Sequence, residues 1–178
     1  IQNMNSKSNS ILKDLYTKSF INKDARIRLT IYRDGDGSYT PITNFATAFA
    51  SIETIKGLGY ELNEKGIAIG LYQDLTKTPS NISNFKNLHS QLYVQAGNYA
   101  KECGLEDVLI LNDFNQLIEA TSSNIFLVLN GTLHTPKLES GPVGGVMRAA
   151  IINLAIELGI KVYECNLEAH ELIKADEV

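Results

Sequence analysis

The chain has 178 residues, 44% apolar and 20% charged, with 16 lysines and arginines against 20 aspartates and glutamates, for a net charge of −4. That length suits one sizeable domain or two small ones sharing a core, and the scattered basic residues form no stripe of the kind that tracks nucleic acid. No apolar run approaches the roughly 20 residues that cross a bilayer, and Cys103 and Cys165 lack CxxC spacing, so a soluble protein of a reducing cytoplasm is expected, without disulfides or structural zinc.

In chain order, "SILKDLYTKSFI" sets Ile11, Leu12, Leu15 and Phe20 at near-helical spacing behind Ser10 as a cap, which predicts a helix. "ARIRLTIYR" alternates Ile27, Leu29 and Ile31 with Arg26, Arg28 and Thr30, the period of a half-buried strand over 26–33. "DGDGSYTP" is turn chemistry; Asp34 and Asp36 match the start of a calcium loop, but the later ligands and closing Glu are not at their positions. "NFATAFASIETI" and "GIAIGLY" read as strands, and residues 74–85, rich in Ser, Thr, Asn and Pro, as a loop ending at Lys86. A helix is expected directly afterwards, through Leu88, Leu92, Val94, Tyr99 and Cys103, with Gly104 as its stop.

"DVLILND" and "NIFLVLNGTLHTP" are strands, the second broken by Asn130-Gly131, the strongest short hairpin signal. "GPVGGVMRAAIINLAIELG" is a glycine-rich loop entering a periodic helix that ends at Gly159; the strand "IKVYECN" and a short helix near "AHELIKA" follow. The sum is mixed α and β, without a fixed-period repeat. The opening on Ile1 and the close on "ADEV" read as those of a fragment.

Four features carry chemistry. The hydroxyl-rich turn Thr121, Ser122, Ser123 and Asn124 is either an anion-binding nest or an ordinary Ser/Thr turn. In "GPVGGVMR", Gly141, Gly144 and Gly145 let backbone approach a ligand at a helix N-terminus, where phosphate is favoured, although the spacing matches neither a P-loop nor GxGxxG. Glu119, between "LI" and a strand, is either an inward carboxylate in need of a cation or a surface residue at a strand end. Lys86 is either a solvated lysine or an amine held beside an apolar helix, where desolvation makes it nucleophilic. His89, His134 and His170 lack metal spacing; only His89 is near Lys86. A nucleophilic amine, a carboxylate able to hold a protonated ring nitrogen and two phosphate-friendly loops together describe pyridoxal 5′-phosphate.

At "RIRLTIYRDG", "FKNLHSQLYV", "EDVLILNDFNQLIEATSSNIFLVLNGTLHTP", "GPVGGVMRAAIINLAIELGI" and "LIKADEV" the sequence resembles the class IV, or fold type IV, pyridoxal-phosphate aminotransferases and lyases, from about Arg26 to the last residue. The family includes branched-chain aminotransferases, D-amino-acid aminotransferases and aminodeoxychorismate lyases, and "EATSSNIF" is most similar to the D-amino-acid and lyase versions of its motif. The resemblance implies an α/β (α+β) fold: residues 1–43 as the remnant of a smaller α/β domain, and 44–178 as a large cofactor-binding domain with a mixed-sheet or barrel-like core and packed helices.

By the same resemblance Lys86 is the catalytic Schiff-base lysine and Glu119 the carboxylate that keeps the pyridine nitrogen protonated. Ser122, Ser123 and Asn124 form the turn beside the cofactor; Gly145, Val146 and Met147 offer backbone amides to its phosphate. Arg28 and His89 are substrate-side candidates, and Arg148 either supports the phosphate segment or makes a structural ion pair. Gln91 stands where some branched-chain enzymes have tyrosine, and Met147 where many members have threonine or serine. The implied function is amino transfer between an amino acid and a 2-oxo acid in a cytoplasmic homodimer, with neither membrane nor nucleic acid as partner. The alternatives are an aminodeoxychorismate lyase on the same site and a non-catalytic relative.

Overall fold

The computed structural model describes residues 2–19, 24–55 and 63–178. Their contacts divide the chain into two compact units, Ile1–Leu62 and Asn63–Val178.

In the first unit, helix α1 (Gln2–Ser19) precedes an antiparallel pair, β1 (Ala25–Arg33) and β2 (Ala46–Thr54), in register from Ala25↔Thr54 to Arg33↔Ala46. The β-branched and aromatic residues of both segments suit a pleated ladder. The Asp34 N–H donates to Phe45 O at 3.0 Å to close the connection, in which Gly35 and Gly37 adopt φ of 146° and 117°. Helix α1 begins well ahead of Ser10, which is an interior residue rather than a cap; Phe20 and Ile21 lie outside the described residues. Ile27, Leu29 and Ile31, expected on a half-buried face, are 40%, 36% and 43% exposed. The division expected after Thr43 falls between β1 and β2, whereas the contacts divide the chain after Leu62.

The second unit contains β3 (Ile69–Lys77), α2 (Gln91–Glu102), β4 (Asp107–Asn112), β5 (Gln116–Ala120), β6 (Leu127–Leu129), β7 (Thr132–Pro136), a 3-10 turn at Leu138–Ser140, α3 (Val146–Glu157), β8 (Val162–Cys165), β9 (Leu167–Glu168) and a 3-10 turn at Ala169–Ile173. One sheet has the order β3-β4-β5-β9 and a second the order β6-β7-β8. Strands β3 and β4 are parallel, which requires a crossover, and α2 supplies it. Asn130 and Gly131, at φ of 50° and 72°, close the β6–β7 hairpin in the left-handed region that its two-residue turn demands.

Strand β4 is buried on both faces, which explains the unbroken apolar run "VLIL". On one side Leu109, Leu111 and Leu117 pack with Ile125, Leu127 and Leu167; on the other Val108, Ile110 and Ile118 pack with Tyr72 and with Ala96 and Ala100 of α2. Each fully buried Leu or Ile contributes about 1.5–3 kcal/mol. The pairing then slips: Ile110 faces Glu119, but Leu111 faces Leu117, so Ile118 is an extra residue on β5. Such bulges re-aim side chains, and this one lets Ile118 and Glu119 both turn toward α2.

Two expectations around Lys86 need correction. Residues 74–77 belong to β3 rather than to a loop, and α2 starts at Gln91, so Lys86 and His89 lie in an irregular segment ahead of the helix. Among the described residues no helix is long and apolar enough to cross a membrane.

Candidate active site

Glu119 is 3% exposed. Its Oε1 accepts from Lys77 Nζ at 2.8 Å and from the Tyr93 hydroxyl at 2.6 Å, while Oε2 accepts from the Val143 N–H at 2.8 Å. A buried carboxylate is costly unless a cation and further donors compensate it, and here one of each kind converges: ammonium, phenol and amide. Lys77 also donates to Ser83 O at 3.1 Å and stands 5.5 Å from the centroid of the Tyr93 ring. Burial, then the hydrogen bond to Glu119 and its charge, pushes the Tyr93 phenol well above its ordinary range.

The hydroxyl-rich turn folds back on β5. Ala120 N–H donates to Ser123 O at 2.8 Å, and Glu119 and Asn124 form an antiparallel bridge. Thr121 is spent on anchoring, its hydroxyl and amide both donating to Asp107 Oδ1 at 2.6 and 3.2 Å, which leaves Ser122 and Ser123 exposed. Asn124 Nδ2 donates to Val143 O at 2.8 Å. The turn and the glycine-rich loop are thereby fastened together, and Val143 is shared by Asn124 through its carbonyl and by Glu119 through its amide.

Helix α3 opens at Gly145 without a side-chain cap, and its first helical bond runs from Ala149 N to Gly145 O at 3.1 Å. The amides of Val146, Met147 and Arg148 precede that bond, at the positive end of the helix dipole. They border an open cleft of about 430 Å³ that is also lined by Ser122, Ser123, Asn124, Phe126 and Ile151. A Cβ at Gly145 would fall inside the contact distance of Asn124 Oδ1, so any other residue here requires the Asn124 side chain to move.

The segment leading to Lys86 is sewn to the same loop. Asn84 Nδ2 donates to Leu138 O and Pro142 O at 2.8 and 2.7 Å, and Gly144 N–H donates to Asn84 O at 2.9 Å. The Lys86 side chain itself is exposed, as is His89, whose amide donates to Asn87 Oδ1 at 2.9 Å. Arg28 lies on β1 of the first unit, exposed and opposite Ser51.

Of the two readings of Arg148, the geometry shows the ion pair: one guanidinium nitrogen donates to Pro136 O at 2.8 Å and to Glu164 Oε2 at 2.7 Å. Sequence reasoning brought Glu119, both loops and the helix start to one place, but missed Lys77, Tyr93 and the Val143 amide. The available signal for Tyr93 was its position on the helix face that carries Ala96 and Ala100 inward, a spacing that aims it at the sheet.

The family described as amino-transferase class IV matches residues 4–178, and the chain belongs to it. The chain is 35% identical over 125 residues to the branched-chain-amino-acid aminotransferase of Escherichia coli, a match covering 68% of this chain and 40% of that protein. The crystal structure of the Escherichia coli branched-chain amino acid aminotransferase superposes with a TM-score of 0.80 at 28% identity, covering 92% of this chain and 55% of that one. The 4-amino-4-deoxychorismate lyase of Pseudomonas aeruginosa superposes at 0.72 and 25% identity, covering 84% and 56%. The architecture is that of the fold type IV aminotransferases, and the chain spans about half the length of the solved structures it matches.

Proposed function

We propose that the protein is a pyridoxal-phosphate-dependent class IV aminotransferase that moves an amino group between an amino acid and a 2-oxo acid. The observation that carries this reading is one buried carboxylate, Glu119, linked through Val143 to a cavity bordered by the uncapped start of α3. Those features fit the cofactor. The amides of Val146 and Met147 with Gly145 suit its phosphate, Ser122, Ser123 and Asn124 border its other side, and Glu119 is the acceptor for a protonated ring nitrogen.

When bound, pyridoxal phosphate supplies an electron sink for the negative charge that develops at the amino acid's Cα. Glu119, itself buried, would then act electrostatically, holding the ring-nitrogen proton. Lys86 would be the amine that holds the cofactor and moves the proton at Cα, with His89 as a substrate-side group. The sequence match to a branched-chain-amino-acid aminotransferase supports amino transfer. The likeness to a 4-amino-4-deoxychorismate lyase supports a second reading, pyruvate release from aminodeoxychorismate on the same residues. The reading includes a cytoplasmic homodimer.

The test is to load the full-length protein with pyridoxal phosphate and supply amino acids with 2-oxo acids, then aminodeoxychorismate alone. Formation of a new amino acid supports the aminotransferase, pyruvate from aminodeoxychorismate supports the lyase, and neither product would leave the non-catalytic relative in front.

A further inference from the structure

We propose that Lys77 is a positioning residue that fixes the Glu119 carboxylate for the cofactor's ring nitrogen, an inference that rests on the pyridoxal-phosphate reading above. Lys77 ends β3 at 15% side-chain exposure and Glu119 is at 4%, so the pair is well removed from water. Among the described residues, no other cation makes an ion pair with this carboxylate. The ammonium is itself located by the Ser83 carbonyl, and Ser83 is buried in a knot of bonds: its hydroxyl accepts from the Ser80 amide at 2.7 Å, meets Ser80 Oγ at 2.9 Å and donates to Thr78 O at 3.3 Å.

The division of labour between the two oxygens gives the pair its consequence. Oε1 accepts from both Lys77 and Tyr93, whereas Oε2 accepts only the Val143 amide. An ionised carboxylate offers about four lone-pair sites, so a further N–H donor finds its acceptor on Oε2. That oxygen is the one tied to Val143, whose carbonyl holds Asn124 at the edge of the cavity. Lys77 therefore does two things through Glu119: it compensates the negative charge in a buried position, and it holds the carboxylate rotated with Oε2 toward the loop side. Without the ammonium a buried carboxylate takes up a proton or turns toward solvent, and either change removes the acceptor for a protonated ring nitrogen.

The test compares two cofactors on three full-length proteins. Wild type, Lys77→Met and Lys77→Arg are titrated with pyridoxal phosphate and with its 1-deaza analogue, in which a carbon replaces the ring nitrogen, and binding is followed by absorbance. Lys77→Met is expected to weaken pyridoxal phosphate about tenfold, the scale of one charge-assisted hydrogen bond, while leaving the analogue's affinity within about twofold of wild type; Lys77→Arg restores most of the loss. Equal weakening of both cofactors would reduce Lys77 to a structural role and overturn the proposal, as would no weakening of either. If Lys77→Met does not fold, Lys77→Gln, which removes the charge and keeps a donor for Ser83, carries the same comparison. Failure of the wild type to bind pyridoxal phosphate overturns the underlying cofactor reading, a result separate from any difference among the variants.

Discussion

The Lys77 ammonium lies 2.8 Å from Glu119 Oε1 across the β3–β4–β5 sheet, which brings together residues 42 positions apart in the chain. Removing either member is not symmetric. Lys77→Met leaves a 4%-exposed carboxylate without its cation and is expected to cost about 3–5 kcal/mol, whereas Glu119→Gln leaves the partly hydrated ammonium and costs less. The double variant is expected to be more stable than the sum of the two losses implies, and urea denaturation of all four proteins completes that cycle.

Tyr93→Phe tests the second donor on Glu119. Loss of a hydrogen bond to a charged group is expected to destabilise by about 1.5–3 kcal/mol near neutral pH. The phenol's folded pKa is raised above its ordinary 10.0, so its stabilising contribution is present below that value and disappears as the pH climbs through the folded pKa. Wild type should therefore hold a constant advantage over Tyr93→Phe from pH 7 to about 10 and lose it progressively above. A Tm difference that instead grows with pH over that window would count against the raised phenol.

Gly145→Ala places a methyl against Asn124 Oδ1, next to the side-chain bond to Val143 O. Overpacking of this kind costs about 1–3 kcal/mol, and here its relief displaces one edge of the cavity. The variant is expected to bind pyridoxal phosphate more weakly than it binds free pyridoxal, relative to wild type, because the disturbed edge adjoins the helix start assigned to the phosphate. Fluorescence titration with both vitamers reads the difference.

In the first turn of the same helix, Arg148 is 6% exposed in its side chain and its partner Glu164 is 48% exposed. Among the described residues the Arg148 Nε has no hydrogen-bond partner. Glu164→Ala leaves a buried guanidinium held by the Pro136 carbonyl alone, so it is expected to cost more, about 2–3 kcal/mol, than Arg148→Met, which leaves a half-exposed carboxylate and one carbonyl, that of Pro136, without this donor but fills the space with an apolar side chain. Guanidinium-chloride midpoints of the two single variants give the order directly.

Local signals made much of this molecule legible. Asn130-Gly131 announced the hairpin because Asn followed by Gly takes two left-handed residues at little cost, and Gly159, at φ of 73°, ended α3 by the same freedom. The turn 121–124 and the helix start at 145–147 were visible as separate anion-friendly pieces; their meeting depends on the Asn124–Val143 bond, between residues 19 apart. Lys77 was hidden because "DLTKTPSN" has the composition of a loop, while its first half continues β3, whose pairing with β4 slips after Tyr72 and resumes with Lys77 opposite Asn112. From sequence Glu119 could be either an inward carboxylate or a surface residue at a strand end, because the slip that buries it is a property of two strands, and a bulge leaves no periodic mark on one of them. Lys86 was placed at the foot of a helix because Leu88 and Leu92 are four apart, yet the chain turns at Asn87–His89 before α2 begins.

The most direct measurement is borohydride reduction of the full-length protein loaded with pyridoxal phosphate, followed by peptide mapping of the phosphopyridoxyl label. The expected result is a single labelled lysine, Lys86, with Lys77 unmodified because its ammonium is held by Glu119 and Ser83. A label on Lys77, or a protein that takes up no cofactor, would contradict the assignment of Lys86 as the catalytic amine and of Lys77 as the group that sets Glu119.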